Sequence, residues 1–364
     1  MNNSEAKKYN NIKLSIGIIK AVATFLLLLL FVWLGYSYRL EESIRVYLGN
    51  DYIVLLVFIF IIGVISSILF FPISYYVEFY LEHKYNLSNQ SFWKWILEDL
   101  KETLVGSAIG IPILLLFYLI LIKTGNLWWL PFGTLMFLVS VVLARVVPIF
   151  ILPLFYKITP LEDEELKERI VNLSKTAGLK VENVFKFDMS KNTKKANAAF
   201  TGIGKSKRIL LGDTLLENYT HDEIETVIAH ELGHYEKKHI VKNLIIGTTA
   251  SFVMFFLISF FYSISISWFG FNSIVQISAL PLLILWGSLI GLILTPVTNI
   301  ISRKFEFEAD EYAVSKTGKK EAFINTLEKL TDQNLGDREP HKFVEWFFYS
   351  HPSIKRRISA INSY

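Results

Sequence analysis

From Asn243 to Ser302 the chain runs sixty residues without one Asp, Glu, Lys or Arg. Crossing a bilayer takes about 20 mostly apolar residues. The run is therefore long enough for two spans joined by a short loop, expected near Ser265–Asn272. Four further stretches lack charge: Ala21–Tyr36, Tyr52–Val77, Thr103–Ile122 and Asn126–Ala144. The first follows Lys7, Lys8, Lys13 and Lys20, as a signal peptide would, but it is long and no small-x-small cleavage site follows Trp33. It reads as an uncleaved span, which brings the total to six.

The remaining composition excludes more than it suggests. Hydrophobic residues make up 52% of the chain, and the mean hydropathy is +0.40. The net charge of +4 is scattered, with no basic tract interleaved with aromatics, so a nucleic-acid partner is not expected. There is no cysteine, which removes disulfides and thiolate metal sites and leaves only His, Asp and Glu as metal donors. No repeat, low-complexity run or flexible linker is visible.

Six spans put the N-terminus, the Lys84–Lys101 loop, a polar block (157–242) and a tail from Arg303 on one side. All four carry Lys or Arg, whereas the opposite loops hold only Arg39, Arg45 and Lys123. The rule that cytoplasmic loops are enriched in Lys and Arg then predicts a cytoplasmic polar block and tail. The expected division is a membrane domain 1–156 with four spans, a catalytic domain 157–242, a hairpin 243–302 and a catalytic segment 303–364. Leu161–Ala177 reads as a helix. Val184–Phe187, Ala198–Thr201 and Arg208–Leu211 read as strands, the last two joined by a turn at Gly202–Ser206.

Inside the polar block lies His230-Glu231-Leu232-Gly233-His234, the His-Glu-x-x-His pattern. On a helix the two imidazoles fall one turn apart on one face and can hold a single ion. Glu231, between them, is placed to take a proton from a water activated there. Thr220 with Glu223 forms a capping box that starts this helix ten residues upstream, so both histidines sit mid-helix. A catalytic zinc usually has three protein ligands. The densest source of a third is Arg303–Glu311, where Glu306, Glu308 and Glu311 are all open by periodicity. Glu306 and Asp310 share a face, so that one could bind metal while the other orients a neighbour.

These segments resemble the membrane zinc metallopeptidases typified by the type I CAAX prenyl protease, with HtpX-like proteases as relatives. Ala229–His234 is similar to the family's metal helix. Ser302–Asp310 is similar to its Ser-Arg-x-x-Glu-Phe-x-Ala-Asp segment, and Ser350-His351-Pro352 with Arg357 to its His-Pro…Arg segment. Lys207–Leu216 is similar to the family's run before the metal helix, and Pro153–Phe155 and Phe71–Phe92 resemble the N-terminal domain of the CAAX branch rather than of HtpX. The resemblance implies a mostly α, polytopic membrane protein with a gluzincin-type catalytic domain carrying a small β-sheet. It implies one Zn2+ on His230, His234 and Glu306, supported by Asp310 and Arg357. Glu231 is then the general base and His351 an oxyanion donor. Asn197 and Ala198 would align a peptide or protein substrate, prenylated or membrane-associated, by strand addition. Such an enzyme belongs in the cell membrane of a prokaryote or the endoplasmic reticulum of a eukaryote. Better-known eukaryotic members have seven spans, so one is missing here at the N-terminal end. An HtpX-type quality-control protease is the alternative within the enzyme class. A non-catalytic scaffold or transporter is the alternative outside it, opposed by the intact motif.

Other features carry weaker expectations. His239, five residues past His234, lies off the metal face if the helix continues, and reads as helix-end polarity. His83, His221 and His341 read as surface histidines. Gly233 reads as room for metal or substrate, Arg145 as a functional or snorkelling charge, and Trp128-Trp129 as interfacial anchors.

Overall fold

The computed structural model describes residues 3–179, 184–201 and 208–364. The turn expected at Gly202–Ser206 lies outside the described residues. Among the described residues, six helices are long and apolar enough to cross a membrane. The first is α1 (Asn3–Trp33), followed by a short amphipathic α2 (Tyr36–Arg45). The second, α3 (Asp51–Ser74), is capped by the Asn50 side chain and passes through a π-helical turn into α4 (Leu81–Lys84). The third is α5 (Phe92–Thr124), capped by Ser91. The fourth, α6 (Trp129–Val146), ends in a π-helical turn and α7 (Leu152–Phe155). Helices are the expected solution because each satisfies its backbone polar groups internally where no water reaches.

Trp128 is not an interfacial anchor. It is buried among Phe117, Phe132 and Phe255 in the bundle interior, where ring packing claims it. Trp129 packs on Phe256. Arg145 is exposed near the end of α6 and has no carboxylate within 4.0 Å among the described residues, as a snorkelling side chain would be.

The polar block begins with a strand that the sequence reading did not find, β1 (Ile158–Pro160). Next come α8 (Glu164–Thr176), capped by Asp163, β2 (Val184–Phe187), β3 (Ala198–Thr201) and β4 (Arg208–Gly212). The sheet order is β1-β2-β4-β3, with β2 and β4 parallel and the outer pairs antiparallel. This leaves β3 at an edge. The short α9 (Asp213–Asn218) leads to α10 (His221–Glu236), where the Thr220–Glu223 capping box is present.

Lys238 takes a left-handed conformation (φ 57°), and α11 (His239–Ser265) starts directly after it. The connection to α12 (Pro281–Thr317) is longer than the expected loop and includes two short 3-10 turns, Ile266–Phe269 and Ile277–Ala279. α12 is continuous through Ser302–Arg303, carrying the chain from the membrane to the polar domain without a break. α13 (Lys320–Gln333), α14 (Lys342–Phe348) and α15 (Ile354–Ser363) close the chain.

One hydrophobic core joins the polar block to the tail. Ile224, Ile228 and Leu232, one turn apart on α10, are buried against Ala313 of α12, Phe323 and Leu327 of α13 and Ile361 of α15. Burying a side chain of that size contributes about 1.5–3 kcal/mol, so this stripe fixes α10 in place while His230 and His234 meet Glu306 of α12. The N-terminal helix is tied to the same side. Asn10 donates to the Leu335 carbonyl (2.6 Å), and Glu82 collects Tyr9, Lys13 and Lys195.

Candidate metal centre

His230 and His234 face one point on α10, with Nε2 atoms 3.2 Å apart. α12 brings Glu306 to the same point, with Oε2 3.4 Å from His230 Nε2 and Oε1 3.4 Å from His234 Nε2. One ligand atom from each residue lies within 4.8 Å of the other two, as one ion requires. Glu306 Oε2 is buried and makes no hydrogen bond, although His351 Nδ1 is 2.9 Å away. Two imidazole nitrogens and an unsatisfied buried carboxylate oxygen converge with no donor between them. That donor set fits a divalent cation. Glu231, next to His230, is half-buried and makes no hydrogen bond or ion pair among the described residues.

The outer nitrogens of both imidazoles are held as well. His230 Nδ1 is 2.9 Å from Asp310 Oδ1, and Arg357 grips Asp310 through Nε (2.8 Å) and Nη2 (2.5 Å). Asp310 is fully buried, so the guanidinium keeps its charge from standing alone. Burial lowers the pKa of His230, but the hydrogen bonds it donates to Asp310 and Glu306 outweigh it and raise the value to about 9. Burial also opposes the charge on Arg357, yet the adjacent Asp310 raises its pKa overall.

His234 has a support that the sequence reading missed. Its Nδ1 lies 3.0 Å from His239 Nδ1, and His239 Nε2 lies 2.9 Å from Glu308 Oε2. His239 is buried and its ring stacks on Phe305. It is outside the metal-ligand group, as expected, but helix-end polarity understates its place. The expectation assumed one continuous helix, whereas the chain turns at Lys238 and a new helix returns His239 against His234. The available signal was the Lys237-Lys238 pair ahead of an apolar run. Imidazoles at a metal site are commonly oriented through their second nitrogen in this way.

The three glutamates left open by periodicity now separate. Glu306 faces the histidines, Glu308 turns to His239 and Lys242, and Glu311 is exposed. Gly233 makes room for neither metal nor substrate. A Cβ there would lie 3.0 Å from Ala309 Cα and 3.1 Å from Tyr312 Cβ, so the missing side chain admits the backbone of α12. His351 is largely exposed beside Glu306. Asn197 is exposed at the start of β3, its carbonyl accepting from Gly212 N (3.0 Å), and Ala198 pairs with Leu211 on β4. β3 packs on α10 through Phe200 and Tyr235, whose ring centroids are 5.8 Å apart.

His83 is exposed and held by the Phe79 and Gln90 carbonyls. His221 pairs with Asp163, and His341 caps α14.

Comparison with known proteins agrees with this geometry. Residues 160–364 match peptidase family M48, and residues 2–157 match the CAAX prenyl protease N-terminal family, described as having five membrane helices. Four candidate spans fall in that region here. The chain is 34% identical to CAAX prenyl protease 1 of Saccharomyces cerevisiae over 84% of its own length and 72% of the relative's. It is 30% identical to the uncharacterized metalloprotease YhfN of Bacillus subtilis, over 97% and 84%. It is also 30% identical to the human CAAX prenyl protease 1 homolog, over 93% and 80%. The crystal structure of S. mikatae Ste24p superposes with a TM-score of 0.86 at 29% identity, covering 99% of this chain and 89% of that one. By sequence and by fold, the chain belongs to peptidase family M48, as a multi-pass membrane metalloprotease with an N-terminal region of the CAAX prenyl protease type.

Proposed function

We propose that the protein is a zinc endopeptidase that cleaves near the C-termini of prenylated or membrane-associated peptides, with its site on the cytoplasmic side. The observation that carries this reading is the convergence of His230, His234 and Glu306. These three would hold one Zn2+ and leave a fourth position open, as catalytic zinc sites do. When bound, the ion supplies a Lewis acid that polarises the scissile carbonyl and makes water acidic enough to ionise at about pH 7.

The chain's own groups do the rest. The Glu231 carboxylate takes the proton of the attacking water as the new C–O bond forms. It returns that proton to the amide nitrogen as the C–N bond breaks. His351, exposed beside Glu306, donates to the oxyanion. Asp310 and Arg357 hold His230, and His239 with Glu308 holds His234. A substrate strand adds to the free edge of β3, where Asn197 is exposed and Ala198 begins the ladder. The chain then works as four parts, a membrane domain 1–156, a catalytic domain 157–242, a hairpin 243–302 and a catalytic segment 303–364, with α12 as the continuous link between the last two.

The test uses purified protein with a farnesylated CAAX peptide and an unprenylated control, with and without a chelator. Chelator-sensitive release of the terminal tripeptide from the farnesylated peptide is expected. Glu231→Gln should keep the metal and lose cleavage, Glu306→Ala should lose the metal, and Glu308→Ala should keep it. Normal turnover by Glu231→Gln, or equal metal content in the two other variants, overturns the role assignment.

A further inference from the structure

Where α12 leaves the membrane, a cavity of about 570 Å³ opens between it and α14. Its lining is unusually cationic, with Arg303, Lys304, Lys342 and Arg356 set against a single carboxylate, Glu345. That carboxylate is buried and already engaged by Arg356 Nη1 (2.7 Å) and Ser353 N (3.3 Å). Buried Arg303 spends its hydrogen bonds on two neutral acceptors, the carbonyls of Glu345 (3.0 Å) and Tyr349 (2.5 Å). Among the described residues no carboxylate lies within 4.0 Å of it. Lys304 is 74% exposed, and its nearest carboxylate oxygen, on Glu308, is 3.9 Å away. Lys342 is exposed. Positive charge therefore exceeds the carboxylates that face it: among the described residues Arg303 and Lys342 have no carboxylate within 4.0 Å, Lys304 meets Glu308 only at 3.9 Å, and Arg356 alone is closely paired, with Glu345.

Two apolar features adjoin this charge. On α12, Ile293, Val297 and Ile300 are exposed and share one face with Lys304, being spaced four, three and four residues apart. This stripe comes up the hydrocarbon-facing side of the span and ends at the lysine. On α14, Phe343 and Trp346 are exposed, Trp346 within the pocket lining and Phe343 beside it. Aromatic rings next to cations at the end of a span mark the headgroup level of a bilayer.

We propose that this pocket binds one anionic phospholipid from the leaflet on the metal-site side. Its phosphate sits among Lys304, Lys342 and Arg356, and an acyl chain runs down the Ile293–Val297–Ile300 stripe. A phospholipid is the occupant that presents an anion at the interface and a hydrocarbon chain directly beneath it. A zwitterionic headgroup would leave the excess of cations uncompensated. The site is separate from the metal centre, although its inner wall is the support of the Tyr349–Ser353 turn that carries His351.

Native mass spectrometry of the full-length protein in detergent provides the test. Dioleoylphosphatidylglycerol is titrated against dioleoylphosphatidylcholine, with glycerophosphoglycerol as the free headgroup. One phosphatidylglycerol should be retained in preference to phosphatidylcholine, and the free headgroup should compete poorly. Each lysine near a membrane surface contributes about a fivefold change in binding, so Lys304→Gln with Lys342→Gln should weaken phosphatidylglycerol binding about 30-fold. Phosphatidylcholine binding should not change, and Lys304→Arg with Lys342→Arg should restore the preference. Both lysines are exposed, and unchanged thermal unfolding of the variants verifies the fold. Equal retention of the two lipids by the wild type overturns the proposal. So does undiminished phosphatidylglycerol binding by the Gln pair, or displacement by the free headgroup as effective as by the intact lipid.

Discussion

Replacing Gly233 by alanine sets two effects of opposite sign against each other. On helix propensity alone the change stabilises α10 by about 1 kcal/mol. The new Cβ, however, would meet Ala309 Cα at 3.0 Å, Ala309 O at 3.1 Å and Tyr312 Cβ at 3.1 Å. Two of those atoms are backbone, and Ala309 and Ala313 are fully buried, so α12 can yield only by moving as a helix. Overpacking of this kind costs about 1–3 kcal/mol, which cancels or exceeds the propensity gain. The larger consequence is at the metal centre. Glu306 lies three residues before Ala309 on α12, so a shift of a few tenths of an ångström between the helices separates it from His230 and His234. Metal sites hold their distances within about 0.2 Å. Gly233→Ala should therefore lower metal affinity about tenfold or more, comparable to losing a group that supports a ligand. The assay is metal content after dialysis against graded chelator, with thermal unfolding of the metal-free protein alongside. Gly247→Ala is the control, because nothing lies within 4 Å of a Cβ there. A Gly233→Ala protein that is more stable than wild type and binds metal equally well would refute the reasoning.

Three further outcomes follow from the groups behind the imidazoles. The metal-free His230 keeps its proton up to about pH 9, and that proton must leave when Nε2 is committed to an ion. Apparent metal affinity should therefore rise about tenfold per pH unit below about pH 8.5 and level off above about pH 9, measured by chelator competition. The same proton stabilises the metal-free fold fully below about pH 6.5, and that contribution fades as pH rises through about 9. A flat affinity profile across this window counts against the His230–Asp310 linkage. His239→Ala frees the outer nitrogen of His234 and should weaken metal binding about 10–100-fold with the helices intact. Wild-type affinity in that variant, read by the same competition, would show that His239 only fills space beside Phe305.

The chemistry of this protein was written into its local sequence. His230, Glu231 and His234 are neighbours on one helix, and Thr220 with Glu223 starts that helix at a known distance. Five uncharged runs, one of them long enough for two spans, marked the six spans, because hydrocarbon leaves a backbone few ways to satisfy itself. The choice among Glu306, Glu308 and Glu311 came from family resemblance and not from periodicity. The rotation of α12 against α10 decides which of the three faces the histidines.

Everything that depends on chain separation waited for the tertiary structure. His239 comes back to His234 only because Lys238 adopts a left-handed conformation and breaks the helix. Gly233 serves helix approach, a role that needs the partner backbone to be seen. Trp128 went inward because Phe117 and Phe255, from two other spans, close over it beside its neighbour Phe132, and its own flanks say nothing of those two. β1 is three residues long and pairs with β2 from across α8, too short to leave a periodic trace. Sequence alone determined which groups this protein possesses and which segments cross the membrane, since both are set by neighbours along the chain. The fold decided which groups share a buried point and which surfaces stay open, because those distances arise from how helices pack.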